Sequence, residues 1–191
     1  MAHISILGTG NMGQAIAGLA AKGGNTTELL NSSDADKAVT GDIVVLAVPY
    51  PKVAEVLAER GAQLAGKVVV DITNPLDFAT FDGLTVPADG SAAAEIAAAL
   101  PEARVVKAFN TNFAGTLLAG TVGGQVTTVL LAGDDADAKA ALAGVIGAGG
   151  LRAIDAGGLK RARELEALGF LQISLAAAEK VSWTGGFAVV Q

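Results

Sequence analysis

Six residues near the start of the chain have the types and spacing of a dinucleotide-binding turn. Gly8-Thr9-Gly10-Asn11-Met12-Gly13 is a complete G-x-G-x-x-G sequence between a short apolar run, His3–Leu7, and a helical pattern, Asn11–Lys22. In such a turn the first glycine permits a tight bend, the second leaves room for a pyrophosphate, and the third lets the helix pack on the strand. Backbone amides and the helix dipole then bind the diphosphate. The alternative, a merely structural glycine turn, fits this context less well.

The end of the second predicted strand indicates which dinucleotide is bound. An acidic residue there would bind the ribose hydroxyls of NAD. The chain instead has Asn31, Ser32 and Ser33, followed one helical turn later by Lys37. Neutral hydroxyl and amide groups suit a 2′-phosphate better than a carboxylate does, and Lys37 adds positive charge, so the sequence favours NADP(H). The alternative is that Ser32 and Ser33 only cap a short helix.

Few side chains could act as a general acid or base. The one histidine, His3, opens the first strand, away from the strand carboxyl ends, and is expected to be structural. Tyr50 lacks a Tyr-x-x-x-Lys partner and is expected to form a wall. Lys107 is expected at a solvent edge, and Asp71 is expected to fix a turn. Hydride transfer between two redox cofactors fits this scarcity, because ring geometry does most of the work.

The composition of the 191-residue chain excludes several classes of function. Hydrophobic residues make up 51% and charged residues 17%, which rules out a disordered chain. The net charge of −6 argues against a nucleic-acid groove, which needs clustered Lys and Arg. With no cysteine and one histidine, thiolate chemistry, a metal site and a Ser-His-Asp triad are not expected. We therefore expect a small-molecule partner and no metal.

The apolar runs in the sequence also bear on location. None reaches the roughly 18 residues that a membrane-spanning helix needs. Met1 leads directly into the first predicted strand, without the pattern of a signal peptide. The sequence therefore predicts a cytoplasmic protein without membrane contact.

Short apolar runs alternate with helical patterns along the whole chain. The predicted strands are His3–Leu7, Thr26–Leu30, Asp42–Val48, Lys67–Ile72, Arg104–Phe109, Thr127–Leu131 and Leu151–Asp155. The predicted helices are Asn11–Lys22, Lys52–Leu64, Ser91–Leu100, Asp134–Ile146 and Leu159–Lys180. Continuous hydrophobicity in the strands means that both sheet faces are covered. This pattern predicts an α/β fold, a Rossmann-type, doubly wound, mostly parallel sheet, with residues 1–191 as one NAD(P)-binding domain that includes the C-terminal helix and tail, 159–191.

The connection Asn31–Gly41 is short for this fold. A crossover with its helix needs at least about 10–12 residues. The segment therefore has room for a short helix at most, expected around Ala35–Thr40. A larger Rossmann domain would carry a helix and a further strand here.

Five motifs occur in one order along the chain. They are Gly8–Gly13, Ala47-Val48-Pro49, Val70-Asp71-Ile72-Thr73-Asn74-Pro75, Val106-Lys107-Ala108-Phe109-Asn110-Thr111 and Leu159–Leu168. Together they resemble the NADP-dependent oxidoreductases of the deazaflavin-coenzyme-dependent reductase family. The cytoplasmic domain of the metalloreductases that pass electrons from NADPH to flavin is similar too. The resemblance spans nearly the whole chain, and its Asn-Pro and Ala-Phe-Asn-Thr motifs are more specific than the glycine motif.

The resemblance implies a Rossmann domain, usually in a homodimer, that exchanges hydride between NADP(H) and an 8-hydroxy-5-deazaflavin coenzyme or a flavin. By motif match, Thr9–Met12 would bind the diphosphate, and Ser32, Ser33 and Lys37 would face the 2′-phosphate. Val48 and Pro49, after Ala47, would wall the ribose and nicotinamide. Thr73, Asn74 and Ala108, with Pro75 next to them, would border the nicotinamide, and Asn110 would position the second ring. Two departures concern the adenosine side: Ser33 replaces the usual Arg, and Asn31–Gly41 is shortened.

Two other functions are compatible with the residues. A non-catalytic NADP(H) redox sensor would need only the glycine turn, whereas the polar groups of Asn74-Pro75 and Asn110-Thr111 favour an enzyme. A reductase of a small carbonyl or imine compound would need acid–base groups borrowed across a dimer. The apolar tail Trp183–Val190 is expected to cover the site, cross a dimer interface or pack on its own core.

Overall fold

A computed structural model describes residues 1–190 and shows a seven-stranded sheet flanked by helices. The strands are β1 (His3–Leu7), β2 (Thr26–Leu30), β3 (Ile43–Leu46), β4 (Val68–Asp71), β5 (Arg104–Lys107), β6 (Thr121–Val122), β7 (Gln125–Val126), β8 (Thr128–Gly133) and β9 (Arg152–Asp155). The α-helices are α1 (Asn11–Lys22), α2 (Val53–Arg60), α3 (Ala92–Ala99), α4 (Ala114–Ala119), α5 (Ala136–Ala148) and α6 (Ala162–Ala177).

The strand order in the sheet is β2-β1-β3-β4-β5-β8-β9. The first five strands run parallel to one another, whereas β8 is antiparallel to β5 and carries β9 parallel to itself. The predicted Rossmann-type, mostly parallel sheet is therefore confirmed. The chain leaves β1 toward β2 on one side and continues to β3 on the other, so the order reverses between β1 and β3. Open α/β sheets bind ligands outside the strand carboxyl ends at such a point.

Alternate strand residues supply two hydrophobic cores, one on each sheet face. Ile4 and Ile6 of β1 pack with the helices on one face, which include α1 and α5. Leu46 of β3 packs on the other face with Val53 of α2 and Ile96 of α3. Successive strand side chains point to opposite faces, so a strand that is apolar throughout fills both cores.

Several predicted elements differ in extent from the observed ones. The short helix expected around Ala35–Thr40 lies instead at Ser32–Asp34, as a single 3₁₀ turn, because the Asn31 side chain caps it from the end of β2. The predicted helix Lys52–Leu64 keeps an α-helical centre at α2 and ends in a 3₁₀ turn, Gly61–Leu64. The last helix ends at Ala177 rather than Lys180, because Glu179 has a left-handed backbone with φ of 58°.

The sequence also missed two small elements between β5 and β8. Helix α4 follows Phe113, and a two-stranded ribbon of β6 and β7 turns at Gly123-Gly124, where φ is 55° and 81°. Two positive φ values are typical of the tight turns that match the twist of paired strands. None of the helices within residues 1–190 has the length and apolar character to cross a membrane.

Candidate functional site

The glycine turn lies at the carboxyl end of β1, where the strand order reverses. Gly8 has φ of 121°, and a side chain there would collide with the Ala47 carbonyl oxygen. A side chain at Gly13 would collide with the Gly8 carbonyl oxygen, so α1 packs against the turn only because this residue is glycine. Gly10 differs from both, because no atom lies within 4 Å of the place a side chain would take. The backbone at the start of α1 is therefore open to a ligand.

Three cavities follow the carboxyl edge of the sheet on the two sides of this turn. The first has a volume of about 250 Å³ and lies beyond β2, with Gly8 and Val48 in its wall. The second, of about 320 Å³, and the third, of about 490 Å³, lie on the side of β4 and β5. The last two share Asn11, Met12 and Asn74 and form one cleft. A dinucleotide with its diphosphate at the turn would place one half on each side.

The first cavity, called here the adenosine-side cavity, joins an apolar floor to a polar rim. Its lining is Leu7, Gly8, Leu30, Asn31, Ser32, Val48, Lys52, Glu55, Val56, Glu59 and Arg60. Among the residues predicted to face a 2′-phosphate, Ser32 lines the cavity, whereas Ser33 and Lys37 do not. The Ser33 hydroxyl donates to Asn31 Oδ1 at 2.6 Å, and Lys37 Nζ pairs with Asp34 Oδ1 at 2.8 Å.

The loop after β2 is held by its own short contacts. Asn31 Oδ1 accepts the Ser33 amide at 2.7 Å, and Asp34 Oδ2 accepts the Asn31 amide at 3.0 Å. The Asn31 amide, and then Lys37, lower the pKa of the Asp34 carboxyl, so Asp34 is ionised at neutral pH. The Lys37 ammonium group is therefore paired with an acidic residue of the same loop, Asp34.

The second and third cavities, called here the nicotinamide-side cleft, have a wall of amide and aromatic groups. Asn74 and Asn110 form its polar centre. Asn74 Nδ2 donates to the Asn110 carbonyl at 2.8 Å, and Asn110 Nδ2 donates to Asn74 Oδ1 at 2.9 Å and to the Leu165 carbonyl at 2.8 Å. A side chain at Gly169 of α6 would collide with Asn74 Oδ1. The pair of asparagines is thus packed directly against α6.

A buried charge cluster lies beneath this cleft. Lys107, Asp71 and Glu166 each have fully buried side chains. Lys107 Nζ donates to Asp71 Oδ2 and Glu166 Oε1, both at 2.8 Å, and to the Thr73 carbonyl at 2.6 Å. The expectation of a solvent-edge Lys107 is therefore wrong. Lys107 is the last residue of β5, and its ammonium group is enclosed by two carboxylates from distant segments, Asp71 of β4 and Glu166 of α6.

The charge cluster connects the cleft wall to two helices. Asp71 Oδ1 accepts the Thr73 amide at 2.8 Å, which agrees with the predicted turn-fixing role. Glu166 also accepts the amides of Ala92 and Ala93, at 3.0 and 3.2 Å, at the start of α3. Burial raises the pKa of the Glu166 carboxyl, and Lys107 opposes that shift. Lys107 is a positioning residue, because it fixes the Thr73 carbonyl at the cleft wall without lining the cleft.

Three buried polar atoms near the cleft have no hydrogen-bond partner within residues 1–190. They are Thr73 Oγ1, Asn110 Oδ1 and Asn112 Oδ1. The Asn110 and Asn112 side chains each donate from Nδ2 to backbone carbonyls, so their free atoms are acceptors. An unsatisfied buried group costs about 1–3 kcal/mol. A ligand that offers N–H groups, such as the carboxamide of nicotinamide, fits these acceptors.

Acid–base groups are scarce in the cleft wall, as the sequence indicates. Of the described residues that line it, only Tyr50 has an ionisable side chain. Its hydroxyl donates to Glu95 Oε2 at 2.5 Å, and burial, followed by this contact, raises the pKa of the phenol. His3 lies at the opposite end of β1, with its ring nitrogens 2.8 Å from the hydroxyls of Thr26 and Thr40. Tyr50 therefore stays protonated as part of the wall.

The C-terminal tail lies against the nicotinamide-side cleft. Trp183 packs on Phe113 with ring centroids 4.9 Å apart, and both rings line the cleft with Thr184. Gln172 of α6 anchors the tail, because its Oε1 accepts the Phe187 amide at 3.1 Å. Trp183 remains 54% exposed, so one face of the indole is available to a ligand or a second chain.

Most predicted site residues lie along this edge. The cavities are lined by Gly8, Gly10, Asn11, Met12, Asn31, Ser32, Ala47, Val48, Pro49, Thr73, Asn74 and Asn110. Thr9, Gly13, Ser33, Lys37, Pro75 and Ala108 are not in the cavity walls. Sequence reasoning missed Arg60, Asn112, Glu166 and Gly169 as parts of the site, whereas Trp183 belongs to the tail for which covering the site was one of three expectations. Glu166 lies within the last quoted motif, which was the one signal available for it.

Three comparisons place the chain among known proteins. The family model described as "NADP oxidoreductase coenzyme F420-dependent" matches residues 27–75. The F420-dependent NADP reductase of Methanocaldococcus jannaschii is 32% identical over 166 residues, which cover 85% of this chain and 74% of that protein. A solved structure from Arthrobacter sp. FB24, described as an F420-dependent NADP reductase, superposes over all of both chains with a TM-score of 0.85 and 29% identity. The metalloreductase STEAP3 of Rattus norvegicus is 33% identical over 70% of this chain and 26% of its own length.

Proposed function

Since the chain belongs to the family of F420-dependent NADP reductases, we propose that it is an oxidoreductase that transfers hydride between NADP(H) and F420, the 8-hydroxy-5-deazaflavin coenzyme. The named activity of the relatives supports this function. A flavin is the second candidate acceptor, because the similar metalloreductase is also a redox protein. Residues 1–191 would then form one dinucleotide-binding domain.

The glycine turn would hold the diphosphate. The space beside Gly10 and the free amides at the start of α1 fit an anion that needs hydrogen-bond donors. The adenosine would enter the cavity floored by Leu7, Leu30 and Val56. The ribose and nicotinamide would lie along Ala47–Pro49.

At the other end, the nicotinamide supplies or accepts the hydride, and the chain positions the rings. Thr73, Asn74 and Asn110 present amide and hydroxyl groups at fixed places in the cleft. Lys107 holds the Thr73 carbonyl, and Gly169 lets α6 close on the asparagine pair. Proper alignment of reacting atoms can contribute several kcal/mol to a rate. Trp183 and Phe113 would exclude water from the second ring.

The observation that carries the proposal is the composition of the nicotinamide-side cleft. Three polar atoms of its wall have no partner within residues 1–190, and its one ionisable group within that range, Tyr50, already donates its proton to Glu95. Burial, followed by this contact, raises the pKa of the Tyr50 phenol and makes it a poor proton donor. Reduction of a carbonyl or imine needs a proton donor close to the substrate. Hydride exchange between two rings depends instead on their alignment, so the cleft fits two ring systems better than a small carbonyl compound.

Steady-state oxidation of NADPH with different acceptors tests the proposal. The purified chain is assayed with oxidised F420, with FMN and with a cyclic imine, each at equal concentration. We expect F420 to support turnover at least tenfold faster than either other acceptor. Faster turnover with the imine would contradict the proposal in favour of a small-molecule reductase. NADPH binding without turnover on any acceptor would contradict it in favour of a redox sensor.

The homodimer and the cytoplasmic location stay predictions. The exposed face of Trp183 and the cleft beside it support a second chain as the cover of the acceptor ring. Light scattering after gel filtration would give the mass of the assembly. A mass of one chain at assay concentration would contradict the dimer.

A further inference from the structure

Arg60, the last residue of α2, is a buried cation outside the charge cluster around Lys107. It is 5% exposed, and its side chain lines the adenosine-side cavity together with Asn31 and Ser32. Nη1 donates to the Lys37 carbonyl at 2.8 Å, and Nη2 donates to the Asp34 carbonyl at 2.5 Å. The guanidinium therefore lies under the loop that follows β2.

No ion pair between Arg60 and a carboxylate occurs within residues 1–190. The nearby acidic groups are either paired with a lysine or exposed to solvent. Asp34 acts on Arg60 at longer range but is paired with Lys37, and Glu55 of the cavity wall is paired with Lys52 at 2.8 Å. Glu59 lines the cavity as an exposed side chain. Buried charges are rarely left unpaired, because desolvation is costly.

The remaining hydrogen-bonding capacity of Arg60 fits a phosphate. A guanidinium has five N–H groups in a planar fork, and the two carbonyls occupy only part of them. That fork matches the geometry of phosphate oxygens, with which it forms strong, often bidentate contacts. The Ser32 hydroxyl lies on the same cavity wall. An anion in this cavity would therefore meet the Arg60 guanidinium and the Ser32 hydroxyl, in a lining that also holds the Lys52–Glu55 pair and the exposed Glu59.

We propose that Arg60 determines the preference for NADP(H) by facing the 2′-phosphate of the adenosine ribose. The inference rests on the proposed use of NADP(H) and adds a residue from a different element to the loop after β2. The positive charge that Ser33 lacks is supplied from α2, 27 positions further along the chain. Lys37, held by Asp34, contributes less.

Two nucleotide fragments isolate the 2′-phosphate: 2′,5′-ADP and AMP differ by that group alone. Calorimetric titration of the full chain should show tighter binding of 2′,5′-ADP. Arg60→Met should weaken 2′,5′-ADP by roughly 10- to 100-fold, as expected for loss of a charge-assisted phosphate contact, and change AMP less than about twofold. Unchanged selectivity would overturn the proposal. Equal weakening of both fragments would also overturn it, because Arg60 would then only support the loop.

Arg104→Met is the matched control. Arg104 is exposed at the start of β5, and its Nη2 also donates to a backbone carbonyl, that of Gly66, at 3.1 Å. The same net charge is lost there, so the selectivity should stay as in the unchanged chain. A parallel loss in this variant would overturn a specific role for Arg60.

Two further variants keep the test decisive if Arg60→Met does not fold. Arg60→Lys retains the charge without the fork and should retain part of the selectivity. Lys37→Met, which leaves Arg60 in place, should lower the affinity for 2′,5′-ADP less than about threefold. Loss of all selectivity in Lys37→Met would overturn the proposal by assigning the charge to Lys37.

The inference and the proposed function can fail separately. Reduction of F420 by NADPH together with unaltered selectivity in Arg60→Met would overturn only the role of Arg60. Lost selectivity in that variant, in a chain that reduces no acceptor, would support Arg60 and contradict the proposed function.

Discussion

The two sides of the glycine turn are built in different ways. The nicotinamide-side cleft stands on fully buried charges, Lys107, Asp71 and Glu166, and on a pair of mutually bonded asparagines. The loop of the adenosine-side cavity is exposed, and its side chains make local contacts such as the Lys37–Asp34 pair, in which Lys37 is 67% exposed. The long-range contacts of this loop with Arg60 go to the backbone carbonyls of Asp34 and Lys37. The proposed hydride-transfer side is thus fixed by buried side chains, whereas the side chains of the loop after β2 can change at little structural cost.

The largest expected effect is a difference in stability between two variants, each of which loses one lysine charge on one side of the glycine turn. Lys107→Met leaves Asp71 and Glu166 without a counter-ion and should lower the free energy of unfolding by about 3–5 kcal/mol. Lys37→Met removes an exposed pair and should barely move the urea midpoint. Urea unfolding of both variants measures the contrast. Equal shifts of the urea midpoint in the two variants would contradict the proposed difference between the two regions.

Next in size is an effect on catalysis from the asparagine pair. Asn110→Leu keeps the branched shape of the side chain but leaves Asn74 Oδ1 and the Leu165 carbonyl without their donor. We expect kcat with F420 to fall by up to about 100-fold through misplaced rings, with less than a threefold change in the Kd of NADPH. Asn25→Leu, which removes comparable contacts to Ala2 and Ala20 at the other edge, is the control. Similar losses in both variants would assign Asn110 a purely structural role.

A smaller effect is expected from a single charge on the adenosine side. Ser32→Asp places a carboxylate in the cavity wall and should weaken NADPH about tenfold by like-charge repulsion, with little effect on NADH. Ser32→Asn is the neutral control of nearly the same size. The two dissociation constants, measured by quenching of protein fluorescence, decide the outcome. An unchanged NADPH affinity in Ser32→Asp would mean that the 2′-phosphate binds elsewhere.

The smallest effect concerns the pH dependence of stability. Burial raises the folded-state pKa of Glu166 above its ordinary value of 4.5, so the folded chain binds this proton more tightly than the unfolded chain does. The contribution is complete below that ordinary value and is lost as the pH rises through the raised pKa. Unfolding free energies of the unchanged chain relative to Glu166→Gln should therefore decrease between pH 5 and pH 8. An increase over that range would show that Lys107 outweighs the burial of Glu166.

The sequence was sufficient for the fold and for the place of the glycine turn between β1 and α1, because those signals are local. The glycine spacing predicts the turn, and the apolar runs predict the strands. The length of Asn31–Gly41 limits the helix that this segment can hold. The ribbon at Gly123-Gly124 had such a signal as well, since paired glycines between two short strands are typical of a tight turn.

No pattern in the neighbouring sequence predicts the buried charge cluster around Lys107 or the burial of Arg60. The partners of Lys107 are 36 and 59 positions away, so its burial depends on how β4, β5 and α6 come together. Arg60 sits at the end of an amphipathic helix, where an arginine is ordinarily exposed. Its contacts with the Asp34 and Lys37 carbonyls exist only because the shortened loop folds over α2. Both groups are visible only after the tertiary fold is known.

The central claim is that the chain aligns two rings for direct hydride transfer in the nicotinamide-side cleft. The most direct test uses NADPH with deuterium at both hydrogen positions of carbon 4 of the nicotinamide, so that transfer from either face carries the label. This NADPH is mixed with oxidised F420 and the purified chain, and the products are analysed by mass spectrometry. The account predicts that deuterium appears in the reduced deazaflavin ring. Reduced F420 without the label, or F420 left oxidised while NADPH is bound, would contradict it.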